Sequence, residues 1–264
     1  MKKGTMMIRT ALTGAFAALA LAPATQAETE NENEIVTPQR VLVVLAHPDD
    51  ELFMAPAIAA LARQGAVVTL AYATQGEAGP GVSNYAPGEE LADVRLQEAF
   101  CSGQELGAPV VITFNRGDGR LGVDAHHKDS PASGLLRDFT TVVPVQNLVL
   151  TWGPDGGYGH ADHRMVNALT TQIVQAMPAA KRPRLLYVGI PSGSRPDVPQ
   201  MAGWAETDPA LLTETIAYTT ADLEAAKAAV QCHVTQFDAD TRAGMMPLFD
   251  ATIWQGKVHF RPAF

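Results

Sequence analysis

Val41-Leu42-Val43-Val44-Leu45-Ala46-His47-Pro48-Asp49-Asp50-Glu51 is an unbroken apolar run, rich in β-branched residues, that ends abruptly in an imidazole and three carboxylates. A run with no polar residue at either alternate position reads as a strand buried on both faces, as at the centre of a parallel sheet. Beyond it, Leu52, Ala55, Ile58, Ala59 and Ala62 recur at three-to-four spacing, so residues 51–63 are expected to be helical, with Gly65 as the stop. Val67 to Ala73 is a second apolar strand. Strand, helix and strand make a βαβ unit, whose crossover should be right-handed.

The alternation continues outward from this unit. Residues 88–106 are expected to be mostly helical, with Gly107 closing them, and 161–177 and 220–231 are further helices. Strands are expected at 110–114, 148–152 and 185–190. Residues 115–134, rich in Gly, Asp and His, read as a long loop, and 191–209 as a second irregular stretch. The pattern specifies an α/β fold: a Rossmann-like, mostly parallel sheet with helices on both faces, in a single domain over residues 40–264. Such sheets bind ligands beyond the carboxyl ends of their strands. Both His47–Glu51 and a second cluster, Gly156-Gly157-Tyr158-Gly159-His160-Ala161-Asp162-His163, fall there.

Residues 1–27 read as a secretory leader: Lys2, Lys3 and Arg9, an apolar run from Ala11 to Ala22, then Thr25-Gln26-Ala27 as a cleavage site. The run is shorter than the ~20 residues of a spanning helix. The mature chain is therefore expected to start at Glu28, with a polar segment over 28–39, and to be periplasmic or extracellular with no membrane span. Removing three basic and no acidic residues leaves 16 basic residues against 28 acidic, a net charge of −12. That charge repels phosphate backbones, and no basic stripe offsets it, so no nucleic-acid partner is expected. Oligomeric state has no signature here. Cys101 and Cys232 lack the spacing of a zinc knuckle or redox motif. Export permits a disulfide, but their core-like patterns suggest two buried apolar side chains.

A metal needs neutral imidazoles and ionised carboxylates converging from rigid element ends. His47-x-x-Asp50 with the remote His163 supplies three such ligands and leaves room for water. Each piece has a bland reading alone. A lone His is usually a packed loop residue, and Asp49-Asp50-Glu51 could be an acidic first turn meeting a helix dipole. Two clusters at one sheet edge make both readings less economical. Two His and one carboxylate also form the facial triad of non-haem iron enzymes, so the ligands alone leave the metal open. A non-catalytic Rossmann-like binding module is a third option, though no G-x-G-x-x-G follows the first strand. His126-His127, in a polar loop without a completing carboxylate, reads as solvated. Trp152, ending its strand, reads as core rather than pocket wall.

These motifs resemble the LmbE-like, or PIG-L, deacetylases. The likeness rests on AHPDDE at 46–51 and HADHR at 160–164. Supporting matches are ATQGEAG at 73–79, Arg95-x-x-Glu98 before Leu106-Gly107, and the run from Lys227 through His233-x-Thr235-Gln236. It implies one Zn2+ per chain on His47, Asp50 and His163, with Asp49 as the general base and His160 as a protonated electrostatic stabiliser or proton donor. It further implies that Arg95 lines the substrate pocket, that Asp162 could orient His160, and that His233 could sit near the site. The substrate would be a small molecule carrying an N-acyl group, such as an N-acetylated sugar. Ala161 stands where the family usually has proline, and Thr235 where it often has serine; neither change removes a ligand.

Overall fold

A computed structural model describes Met1 and residues 38–264, so the leader and nearly all of the polar segment lie outside the described residues. The opening apolar run forms β1 (Arg40–Leu45) and is fully buried from Val41 to Ala46. Parallel partners lie on both sides: Val41 pairs with Val68 of β2 (Val67–Tyr72) and with Leu148 of β4 (Leu148–Trp152). β3 (Val110–Thr113) extends the sheet beyond β2, and β5 (Arg184–Val188) beyond β4. β7 (Lys257–Pro262) pairs antiparallel with β5 and with β6 (Glu214–Ala217), giving the order β3-β2-β1-β4-β5-β7-β6. The mostly parallel sheet expected from the sequence is therefore present, with β7 its one reversed strand.

The pleat of β1 sorts the core into two layers. Val41, Val43 and Leu45 pack with α1 (Ala55–Arg63), α2 (Glu89–Glu105), α5 (Thr220–Cys232) and α6 (Ala239–Phe249). Leu42, Val44 and Ala46 face Leu135 and Phe139 of α3 (Pro131–Val142) and Val166 and Ile173 of α4 (Ala161–Ala176). Burial on both faces at period two is why this strand could carry no polar residue. None of the described helices is long and apolar enough to cross a membrane.

Three stretches depart from the sequence reading. Residues Asp50–Met54 form a 3-10 turn and the α-helix begins only at Ala55. Pro56 has no N–H to bond back to Leu52, so α-helical bonding starts at the proline turn. The end of the supposed loop 115–134 belongs to α3, which Ser130 caps by accepting from the Ser133 N–H, with Pro131 in the first turn. Residues 239–262, for which periodicity gave no assignment, form α6, a π turn at Asp250–Trp254 and β7. Gly244 and Pro247 interrupt the α6 pattern, so packing rather than propensity decides that helix.

Cys101 of α2 and Cys232 at the end of α5 form a disulfide across a sequence separation of 131. The expectation of two buried apolar side chains is corrected: Cys101 is exposed and Cys232 half-buried, on the outer side where the two helices meet. Closing so long a loop restricts the unfolded chain and should stabilise the fold by about 2–4 kcal/mol. Replacing both cysteines by alanine is expected to lower the melting temperature by roughly 5–15 °C, at about 2–4 °C per kcal/mol for a chain of this size. Calorimetry against the oxidised protein checks this; a shift under about 2 °C would contradict it.

Candidate active site

From β1 the chain runs outward over β2 and β3, then returns to the other flank for β4 and β5. The carboxyl ends of β1 and β4 thus open the crevice at the sheet's switch point. The turn after β1 delivers His47 to Glu51. The turn after β4 delivers His160 to His163 at the start of α4, through a tight bend that needs glycine. Gly157 has φ +71°, and a Cβ there would lie 3.1 Å from the Trp152 ring.

His163 Nε2 lies 3.0 Å from Asp50 Oδ1 and 3.3 Å from His47 Nδ1, and His47 Nδ1 lies 3.7 Å from Asp50 Oδ2. Ligand atoms around a tetrahedral ion with bonds of 2.0–2.1 Å stand about 3.3 Å apart. The orientation suits a metal too. His163 Nδ1 is 3.1 Å from the Gly156 carbonyl, to which its N–H donates, leaving the Nε2 lone pair facing the other two donors. Asp50 Oδ2 accepts from the N–H groups of Ala46 (3.0 Å) and His47 (2.9 Å), which fixes the carboxylate. Burial alone would raise the Asp50 pKa, but His163 and His47 hold it well below the usual carboxylate range.

On its far side His47 faces two further carboxylates, with Nε2 2.9 Å from Asp118 Oδ1 and 3.4 Å from Asp162 Oδ2. Neither oxygen is aligned for a full hydrogen bond. Burial opposes charge on this ring, yet Asp118, Asp162 and Asp50 together raise its pKa to about 10. Asp50, Asp118 and Asp162 thus surround His47, with Asp49 nearby and Arg95 the cation among them, an excess of negative charge that suits a bound cation. Asp118 had no signal in the sequence, because Gly117-Asp118-Gly119 reads as turn chemistry. Asp162 does not orient His160 through its carboxylate. Its oxygens accept from the Gly119 (2.7 Å) and Leu121 (3.1 Å) N–H groups and stand beside His47, so it ties the 117–121 loop to the site.

Asp49 sits at φ +104°, a conformation costing a non-glycine residue about 1–3 kcal/mol. Glu51 holds the turn in place: its Oε2 accepts from the Asp49 N–H (2.9 Å) and the Tyr72 hydroxyl (2.8 Å), and its Oε1 from Ser102 Oγ (2.6 Å). His233 Nε2 lies 2.6 Å from the same Oε1. Glu51 is therefore a fully buried anchor rather than the solvated helix-turn acid its sequence position suggests, and α5 reaches the site through His233. The Asp49 carboxylate lies 3.3 Å from Arg95 Nη2. Burial, opposed by Arg95, pushes its pKa up to about 6. Arg95 is itself buried and donates to the carbonyls of Pro48 (2.6 Å) and Gly76 (2.8 Å), so it lines the cleft while bracing both loops.

His160 Nδ1 accepts from the Asp162 N–H at 3.2 Å as the cap of α4, so Nε2 carries the proton. Burial, then the neighbouring His47 and His163, lower its pKa. That cap leaves Nε2 as the ring nitrogen free to face the cleft. Trp152 is both core and wall: buried, it stacks on His163 with ring centroids 5.1 Å apart and 4° between planes. His126 and His127 are exposed and outside the cleft. The cleft encloses about 890 Å³.

The family model described as PIG-L, GlcNAc-PI de-N-acetylase, matches residues 42–174. A 1D-myo-inositol 2-acetamido-2-deoxy-alpha-D-glucopyranoside deacetylase of Nakamurella multipartita is 34% identical over 172 residues, covering 55% of this chain and 57% of that protein. The chain thus spans a little over half the length of this relative. Among solved structures, N,N'-diacetylchitobiose deacetylase from Pyrococcus horikoshii superposes with a TM-score of 0.63 at 19% identity, covering 89% of this chain and 87% of its own. A 4-carboxy-2-hydroxymuconate hydratase from Pseudomonas putida gives 0.59 at 19% identity, covering 86% and 96%. At such identities the likeness shows the fold, which here serves two chemistries.

Proposed function

The chain belongs to the PIG-L (GlcNAc-PI de-N-acetylase) family, and from that footing we propose that it is a zinc-dependent hydrolase removing an acyl group from the amide nitrogen of an N-acetylated sugar or related small molecule. One observation carries the reading: His47 Nδ1, Asp50 and His163 Nε2 converge at ligand spacing beside a strained, half-buried Asp49. When bound, zinc would supply a water of pKa about 7 and polarise the amide carbonyl.

The chain's own groups do the rest. Asp49, next to Asp50 in the chain, accepts the proton of the attacking water and returns it to the amide nitrogen as the C–N bond breaks, so that the amine leaves protonated. His160, with Nδ1 engaged as the α4 cap, donates from Nε2 toward the oxyanion as it forms, and a donor of this kind is worth about 2.7–4 kcal/mol. Arg95 keeps Asp49 oriented through their 3.3 Å contact and the Pro48 carbonyl. We further propose that the protein is exported, a reading that the Cys101–Cys232 disulfide supports, since such links persist in oxidising compartments.

Zinc-loaded protein should release acetate from one or more members of a panel of N-acetylated sugars, acylated peptides and acylated antibiotics, and lose that activity on chelation. Elemental analysis of protein prepared without added metal should find one zinc per chain. Stoichiometric iron in its place would favour the oxygenase-type alternative, and hydrolysis indifferent to chelation would overturn the metal-dependent one.

A further inference from the structure

The cleft has two unlike halves. Asp49, Arg95, Asp118 and His160 gather beside the candidate ligands, while large apolar side chains, with Gln200, Asp238 and Thr241 also present, line much of the rest and come largely from elements the metal site does not need. Phe53, in the same 3-10 turn as Asp50, stacks on Trp204 at 5.2 Å and 20°, and also lies 5.1 Å from Trp152 and 5.6 Å from Phe249. Trp152 is the ring lying flat on His163, so the aromatic wall is continuous with the candidate ligand. The α6 side chains Met245, Leu248 and Phe249 extend this wall at helical spacing, and Met245, Leu248 and Trp204 are only half-buried.

An acetyl group fills a small part of about 890 Å³, which is near the upper end of the about 300–1,000 Å³ usual for ligand sites. The wall's carbon surface cannot hydrogen-bond sugar hydroxyls, and a polar group pressed against it would be desolvated without a partner. Half-buried apolar side chains opening onto a reactive centre are covered best by apolar atoms of whatever that centre holds.

We propose that this wall is a subsite for an aliphatic chain or aromatic group of the substrate, several carbons long, attached on one side of the scissile amide. The inference rests on the hydrolase reading for the identity of the amide, but the subsite itself is a property of Phe53, Trp152, Trp204, Met245, Leu248 and Phe249. The apolar group has two possible sources. On the acyl side it makes the enzyme a deacylase of chains longer than acetyl; on the amine side it is an apolar substituent of the sugar or amine.

Two homologous series separate them: N-acylglucosamines with acyl chains of increasing length, and N-acetylglucosamine alkyl glycosides of increasing alkyl length. For each, kcat/KM is measured on the zinc-loaded protein and Kd by calorimetry on the Asp49→Asn protein. In one series both measures should improve by about fourfold per methylene over the first few carbons, the factor that full burial of a CH2 gives. Leu248→Asp, which puts a charge on the wall, should collapse the ratio between long-chain and acetyl substrates. Trp204→Ala should reduce that ratio if the Asp variant fails to fold. Acetyl compounds hydrolysed with flat or falling values along both series would overturn the subsite and leave the hydrolase reading intact. No hydrolysis of any member, with Kd still tightening along one series, would overturn the hydrolase reading and keep the subsite.

Discussion

Asp49→Asn is expected to keep its metal and to lose roughly 10²–10⁴-fold in amide turnover, the usual cost of removing a general base. Asparagine has nearly the same shape and tolerates the φ of +104° as well as any non-glycine residue, so the turn held by Glu51 should survive. What it lacks is a site for the proton. Desolvation pushes the wild-type carboxyl up to about 6, with Arg95 opposing, and a cation bound nearby would bring it back down. A base must be ionised, so wild-type kcat/KM should fall as pH drops through a limb at or below about 6. That limb should be absent from the variant's residual rate. Metal content and a pH–rate profile on both proteins check this. Near-normal turnover, or loss of the metal, would show that Asp49 is not the base.

His163→Ala should fail for a different reason, by losing the metal itself. Zinc sites bind with about 10–16 kcal/mol over four ligands, so removing one should cost about 2.5–4 kcal/mol, or roughly 10²–10³-fold in affinity. Activity should follow occupancy and return in part at high zinc. The truncation also strips the face of Trp152 and leaves the Gly156 carbonyl without its donor, so some loss of thermal stability accompanies it. Titrating zinc against turnover separates occupancy from folding. Stoichiometric metal retained at low zinc would remove His163 from the ligand set.

Much of this molecule was legible before folding because its signals are local. An apolar run buried on both faces, followed by a three-to-four pattern and another apolar run, admits few arrangements. The βαβ order then places His47–Glu51 and His160–His163 at the same sheet edge. Other features have no local signature. Asp118 sits in a turn like any other Asp-Gly. Glu51 reads as a helix-turn acid until Tyr72, Ser102 and His233 close around it from β2, α2 and α5. The disulfide joins cysteines 131 positions apart, and sequence spacing says nothing about such a distance.

By itself, the sequence determined the layered α/β fold, the sheet edge carrying the candidate site and the residue types available there, since periodicity and turn chemistry act between near neighbours. Only the tertiary structure decided that His47 is shared between Asp50 on one side and Asp118 and Asp162 on the other, that His160 caps α4 through Nδ1, and that α6 and residues 191–209 line the cleft with apolar side chains. Those outcomes depend on burial and on charges brought together from distant segments. The pKa values and the shape of the cleft exist only once the chain has packed.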